Sequence, residues 1–247
     1  MRLRTRFVAS SRSSMAALFV TGTGTDIGKT FISAGLIRHL RAAAHPVHAL
    51  KPVLSGFTAE TAAGSDAAVL LDALGIPSSD AAIAAIAPWR YAAPFAPNMA
   101  ARAEGRFLDV DAVIAFCRRE IAAHAAGTLI VEGVGGVMVP LDDHRTVLDW
   151  IAQLAIPTLL VGGSYLGAIS HTLTCIDVMV GRGVPPAAVL VNESANGIEL
   201  RATVETIAAF ARDVPVVALS RAARDLERTA VFERVCATAR DSSSAAD

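Results

Sequence analysis

Of the 22 lysine and arginine residues in the chain, only Lys29 and Lys51 are lysines. A lysine ammonium is a compact point charge and a guanidinium is a planar fork, so the two do not interchange in a crowded pocket. Coding bias explains the many arginines. It does not explain why both lysines lie beside glycine-rich turns that follow apolar runs, and we read both as functional. Lys29 closes the loop Gly22-Thr23-Gly24-Thr25-Asp26-Ile27-Gly28-Lys29-Thr30. Successive backbone N–H groups in such a turn, followed by a helix N-terminus, form an anion site. Lys29 would reach the outer phosphates of a nucleotide, and the Thr30 hydroxyl would bind Mg²⁺. The usual phosphate loop has four residues between its glycines. Here five separate Gly22 from Gly28, so the motif rests on its strand, loop and helix context.

A metal held by one threonine needs carboxylates, because Mg²⁺ takes oxygen ligands and keeps several waters. Glu132 ends the apolar run Leu129-Ile130-Val131 and precedes Gly133-Val134-Gly135-Gly136, where glycines permit close backbone approach. An acid at the end of a buried strand is placed to hold a nucleotide's metal. Asp66, in Gly64-Ser65-Asp66-Ala67-Ala68, reads equally as a helix cap or as a second metal ligand. Lys51 opens Lys51-Pro52-Val53-Leu54-Ser55-Gly56, where Ser55 adds a hydroxyl and Gly56 a tight turn. Two lysines near a γ-phosphate point to a substrate that is itself an anion.

Positioning these residues calls for strands that end at one rim. Apolar runs at 16–21, 46–50, 128–131, 157–162, 187–191 and 215–219 alternate with helical patterns at 29–44, 66–74, 109–125, 146–154, 165–182, 198–212 and 221–238. Continuous apolar strands alternating with helices predict an α/β fold: one doubly wound, mostly parallel sheet with helices on both faces. Ligands bind beyond the carboxyl ends of such strands, so the loops starting at 22, 51, 132, 162 and 192 should share that rim. Residues 86–106 form a long proline-rich segment with Trp89 and Tyr91, and long loops inside compact domains are usually functional.

No repeat or linker divides the chain, so residues 15–240 are expected to form a single domain of phosphate-loop NTPase type. The arginine- and serine-rich residues 1–14 precede a second methionine, Met15, and are expected to be dispensable; 241–247 is expected to be a frayed tail. A net charge of −1 gives no general attraction to nucleic acid or acidic membranes, and no apolar run approaches the ~20 residues needed to span a bilayer. Cys117, Cys175 and Cys236 are far apart and form no CxxC pair, which fits reduced thiols in the cytoplasm.

Taken together, the segments at 19–30, 50–56, 65–67, 131–141 (Val131-Glu132-Gly133 onward) and 166–172 resemble dethiobiotin synthetases, in order and at similar spacing from about residue 16 to residue 192. The five-residue gap in the phosphate loop is that family's own form. The resemblance implies an ATP-dependent ligase of biotin biosynthesis. A 7,8-diaminononanoate amine captures CO₂ as a carbamate, ATP phosphorylates it, and the second amine closes the cyclic urea. It assigns nucleotide contacts to Asp26, Ile27, Gly28, Lys29, Thr30, Phe31, Asp66, Glu132, Gly133, Val134, Gly135 and Asn192. Mg²⁺ falls to Thr30, Asp66 and Glu132, substrate to Thr25, Lys51 and Ser55, and catalysis to Lys29 and Lys51. It also implies a homodimer in which Ser164–Thr172 receives the substrate carboxylate from the neighbouring subunit. The chain departs from the family at Gly24, Asp26, Asn98, Tyr165 and Ser170, and after residue 195, where Val216–Arg221 replaces an Ile-Pro element that contributes to nucleotide binding. Two rivals share the superfamily. Partitioning and targeting ATPases usually carry an extra lysine early in the phosphate loop, where this chain has Thr23 and Gly24. Amidoligases need a glutaminase domain for which the chain is too short.

Overall fold

The computed structural model describes residues 15–244; residues 1–14 and 245–247, and with them the expected dispensable extension, lie outside the described residues. In chain order the elements are β1 (Ala17–Gly22), α1 (Lys29–Ala42), β2 (Val47–Leu50), β3 (Val53–Ser55), α2 (Asp66–Leu74), α3 (Asp80–Ile86), β4 (Trp89–Tyr91), α4 (Pro97–Ala103), α5 (Val110–Ala123), β5 (Thr128–Glu132), α6 (Val147–Leu154), β6 (Thr158–Gly163), α7 (Ala168–Gly181), β7 (Ala188–Asn192), α8 (Leu200–Phe210), β8 (Val216–Leu219) and α9 (Asp225–Ser244). Six strands form one parallel sheet in the order β2-β5-β1-β6-β7-β8. The α/β doubly wound class read from the sequence is the observed one.

The apolar runs are continuous because both sheet faces are covered. Along β1, Leu18 and Val20 pack with α1 residues Ile32, Leu36 and Ile37 and with Phe232 and Val235 of α9. Ala17 and Phe19 face the other way, toward Val113 of α5 and Trp150 of α6. Phe19 meets Trp150 edge-on at 4.9 Å between ring centroids, a geometry aromatic pairs favour. Burial of every residue in β1, β5 and β6 leaves no polar face to alternate.

The parallel register brings the expected loops to one rim. Val20 lies opposite Glu132, Gly22 opposite Val161, and Gly163 opposite Asn192. The structure adds elements that periodicity missed. β3 and β4 pair parallel as a separate two-stranded sheet, Val53 opposite Trp89 and Ser55 opposite Tyr91. Three-residue strands are too short to show a period. Leu54, Leu71 and Ile83 fill a small core beneath them, and the 86–106 segment carries β4 and α4 rather than being one open loop.

The bounds of two expected helices move by three residues or more. The helix predicted from 165 begins at Ala168, because Ser164 and Ser194 exchange hydrogen bonds (each N–H to the other's Oγ, both 3.0 Å) and hold the preceding turn out of the helix. The last helix begins at Asp225 and runs to Ser244, so positions 241–244 of the expected tail are helical. Among the described residues no helix is long and apolar enough to cross a membrane.

Candidate active site

The loop after β1 is built to leave a helix end open. Gly28 is the N-cap of α1; it offers no side-chain cap, and the first turn of α1 contains no acid. By contrast α2, α3 and α5 are capped by Ser65, Ser79 and Asp109, each accepting a backbone N–H. The uncapped N–H groups and positive helix end at Lys29–Thr30 are therefore available to an anion. The turn passes through two left-handed residues, Asp26 at φ 57° and Gly28 at φ 96°. A Cβ on Gly28 would stand 2.3 Å from the Asn192 amide nitrogen, so this position takes no side chain as built. Asn192 holds the loop from below, donating to the Ile27 carbonyl at 3.1 Å. On the other side Gly136 lies so close to Thr23 and Gly24 that a Cβ there would sit 3.1 Å from the Thr23 carbonyl oxygen.

Behind the loop stand two lysines and two carboxylates. Lys51 Nζ donates to Glu132 Oε1 at 2.6 Å and to the Gly133 carbonyl at 2.8 Å, and pairs with Asp66 Oδ2 at 2.9 Å. The Lys51 side chain is 3% exposed and that of Glu132 fully buried, so this pair is shielded from solvent. Thr30 Oγ1 donates to Glu132 Oε1 at 2.8 Å, while Glu132 Oε2 is buried with no protein partner. Lys29 Nζ turns back on its own loop, donating to the Gly24 carbonyl at 2.8 Å.

The charges shift one another. Burial and the neighbouring Lys51 ammonium lower Lys29 to about 8. Burial works against the charged form of Lys51 too, but Glu132 and Asp66 outweigh it and hold that group above its ordinary value. Asp66 is pulled below the usual carboxylate range: burial opposes the shift, but Lys51, Thr30 and Lys29 together prevail.

A cleft of about 830 Å³ opens over this cluster. Of the sequence-predicted residues, Thr25, Asp26, Gly28, Lys29, Thr30, Lys51, Ser55, Asp66, Val134 and Gly135 line it. Glu132 lies beneath, Gly133 contributes its carbonyl to Lys51, and Ile27 and Asn192 shape the loop from behind. Phe31 is not brought in. It is 47% exposed on α1, beneath the Arg228 guanidinium of α9 at 5.7 Å from the ring centroid. The cap falls to Ser65 rather than Asp66, and the Asp66 carboxylate faces Lys51. The cleft is also lined by Phe57 and Thr61, which sequence reasoning did not name, and by Pro94–Pro97 of the 86–106 segment that it read as functional. The prolines and length of 86–106 were the available signal.

Of the departures, Asn98 Oδ1 accepts from the Met99 N–H, and the Tyr165 hydroxyl lies 2.8 Å from His171 Nδ1. After residue 195, Val216–Leu219 forms β8, and Glu193 ties its end to β7 by accepting from Ser220 Oγ and the Arg221 N–H.

Comparison with known proteins finds relatives over most of the chain. A family model described as an AAA domain matches residues 16–228. The chain is 51% identical over 179 residues to the ATP-dependent dethiobiotin synthetase BioD of Acidiphilium cryptum, spanning 72% of this chain and 80% of that protein. It is 43% identical over 234 residues to the protein of the same name from Phenylobacterium zucineum, covering 94% of this chain and all of that one. Among solved structures, the MinC:MinD cell division complex of Aquifex aeolicus matches with a TM-score of 0.53 at 12% identity, over 91% of this chain and 94% of that one. A ParA family ATPase from Chlorobium tepidum matches at 0.50 and 12% identity, over 94% and 93%. At that identity these two speak to the fold alone.

Proposed function

The chain belongs to the dethiobiotin synthetase family, and from that premise we propose that it closes the cyclic urea of dethiobiotin from 7,8-diaminononanoate and CO₂ while ATP is cleaved to ADP and phosphate. The observation that supports the chemistry best is the single cleft joining an uncapped helix end to Lys29, Lys51, Thr30 and Asp66, with Glu132 as its floor. One substrate amine combines with CO₂ to give a carbamate and a proton. A carbamate oxygen attacks the γ-phosphorus, the bond to the departing ADP breaks, and a carbamic–phosphoric anhydride forms. The second amine attacks the carbonyl carbon, phosphate leaves, and the ring closes as the nitrogen loses a proton.

The attack joins two anions, so the protein's main task is to offset their repulsion. Lys29 at the helix end would hold the outer phosphates in ground and transition state alike. Lys51 would face the carbamate, and Thr25 and Ser55 would hydrogen-bond the diamine or its carbamate. Ser55 Oγ suits that role, being buried at the cleft with no protein partner. The ionisable residues lining the cleft are Asp26, Lys29, Lys51 and Asp66, with no histidine among them, and the carbamate, already an anion, needs no base in order to attack.

The donor set fits Mg²⁺. Glu132 Oε2 is an orphaned buried acceptor; Thr30 Oγ1 bonds the other oxygen of that carboxylate, and Asp66 is joined to it through Lys51. Two carboxylates and a hydroxyl suffice for an ion that keeps several of its waters. Thr30, Asp66 and Glu132 would hold it, and it would there neutralise charge on the β- and γ-phosphates.

We further propose a homodimer. The N-terminus of α7 resembles that of α1: Gly167 gives no side-chain cap and the first turn carries no acid, which leaves N–H groups for a carboxylate. Backbone donors there would stand in for the basic side chain absent at Tyr165. A cytoplasmic setting goes with this reading and with three unpaired cysteines, of which burial pushes Cys117 up to about 12 and Cys175 and Cys236 up to about 11.

The deciding experiment is ADP release measured with diaminononanoate plus bicarbonate, and with each omitted. Release is expected only when both are present, with one dethiobiotin formed per ADP. Turnover of ATP indifferent to the diamine would defeat the proposal.

A further inference from the structure

The Lys51 ammonium has three N–H donors, and three acceptors take them: Glu132 Oε1, Asp66 Oδ2 and the Gly133 carbonyl. Two of these belong to the carboxylates assigned above to the metal, and Thr30, the third assigned ligand, is bonded to the same Glu132 oxygen. The lysine thus stands where a cation is required. Glu132 is wholly buried, and taking away its partner without replacement would strand a charge in the interior.

The charges acting on Lys51 are those of Asp66 and Glu132, with the ammonium of Lys29 nearby and Asp26 a further acid on the cleft lining. Glu132 Oε2 is left without a protein partner, but a divalent ion that drew both carboxylates to itself would have to push the Lys51 ammonium toward that of Lys29, with only Asp26 as a further acid on the cleft lining. A metal that arrives with a polyphosphate brings an anion with it. We propose that Lys51 is an internal counter-ion that occupies the metal's carboxylates until a metal–nucleotide complex displaces it. Free Mg²⁺ is thereby disfavoured, and Lys51 is released toward the reacting anions only once nucleotide is seated. This rests on the nucleotide and metal reading above and adds to it an order of events. By linkage, the nucleotide and the metal strengthen each other's binding.

The chain suits a direct test, because Lys29 and Lys51 are its only lysines. Lysine labelled with ¹⁵N at Nζ should give two side-chain signals, with that of Lys51 protected from solvent exchange. Mg²⁺ alone, at a concentration that saturates the protein in the presence of a non-hydrolysable ATP analogue, is expected to leave the Lys51 signal in place. Mg²⁺ together with the analogue is expected to shift it. Displacement by Mg²⁺ alone would overturn the proposal. A Lys51 signal that stays put while Lys29 responds to the analogue would also overturn it and leave nucleotide binding intact. Silence from both lysines would overturn the two readings together.

A second measurement needs no nucleotide. Mn²⁺ binding is followed by loss of the free-ion electron paramagnetic resonance signal, with melting temperature confirming each fold. Lys51→Met should bind Mn²⁺ on the order of tenfold or more tightly than wild type. Lys51→Arg, which keeps the charge, should not. Adding Glu132→Gln to Lys51→Met should abolish the gain. Equal Mn²⁺ affinity in wild type and Lys51→Met would refute the counter-ion role.

Discussion

Lys29 and Lys51 sit within one cleft yet differ in what holds them, and their variants should differ accordingly. Lys51 is bonded to carboxylates, Lys29 to a loop carbonyl. Contacts that strengthen only as carbamate meets γ-phosphate show chiefly in kcat. Lys51→Ala is expected to lower kcat by on the order of 10²–10³, with the affinity for metal-free ATP by calorimetry little changed, and Lys51→Arg to restore little. Near-normal kcat in either would make Lys51 a structural residue. Lys29 invites a pH test. Its folded pKa of about 8 lies below the ordinary 10.5, so between those values the unfolded chain holds a proton that the folded chain lacks. Its contribution to ligand-free stability therefore rises with pH across that window and is unfavourable below it. Urea unfolding at about pH 7 and about pH 9.5 should show wild type gaining relative to Lys29→Met. A parallel shift in both would remove the burial effect inferred here. Glu132→Gln, which keeps shape and loses charge, should raise the Mg²⁺ concentration needed for turnover while the fold survives, as circular dichroism would report. An unchanged requirement in both this variant and Asp66→Asn would dispose of the proposed metal site.

At the scale of elements, the deciding feature is a helix left uncapped in a protein that caps others well. Gly28 starts α1 at a backbone angle that a side chain strains, with the Asn192 amide directly behind it. Gly28→Ala is expected to cost about 1–3 kcal/mol, the usual range for a forced left-handed residue, and to weaken nucleotide binding as the loop shifts. Asn192→Ala removes the bond to the Ile27 carbonyl without touching the cleft, so it should raise the KM for ATP more than it lowers kcat. Denaturant midpoints and steady-state kinetics on the pair would separate strain from lost tethering. A Gly28→Ala protein with wild-type nucleotide affinity would show that the turn is not poised as described.

Across the whole molecule, the rim of the sheet gathers distant parts of the chain, and the proposed dimer would extend this to a second copy. A monomer with full activity by light scattering would contradict it. Among the described residues the core begins at Met15, which is buried and whose carbonyl accepts from Thr128 Oγ1 at 2.7 Å. A chain starting there should keep melting temperature and activity; loss of either would show that residues 1–14 pack on the fold.

The sequence by itself determined the kind of sheet, the phosphate loop and the ionic residues. Buried parallel strands must be continuously apolar, and a phosphate site must have glycine, lysine and threonine in order. These are local requirements, written in consecutive residues such as 17–30 and 128–132. Tertiary structure decided what depends on pairs remote in sequence. Lys51 and Glu132 are 81 positions apart, and nothing local says that their side chains meet at 2.6 Å. β3 and β4 are too short to have a period, and each exists because the other satisfies its backbone. Phe31, one residue beyond the threonine, turns out of the cleft because the α1 helix rotates it onto the face that α9 covers. Whether Asp66 caps a helix or binds a metal was open in the sequence, since either role requires only a carboxylate after Ser65. The fold gives the cap to Ser65 and brings Lys51 to within 2.9 Å of the Asp66 carboxylate.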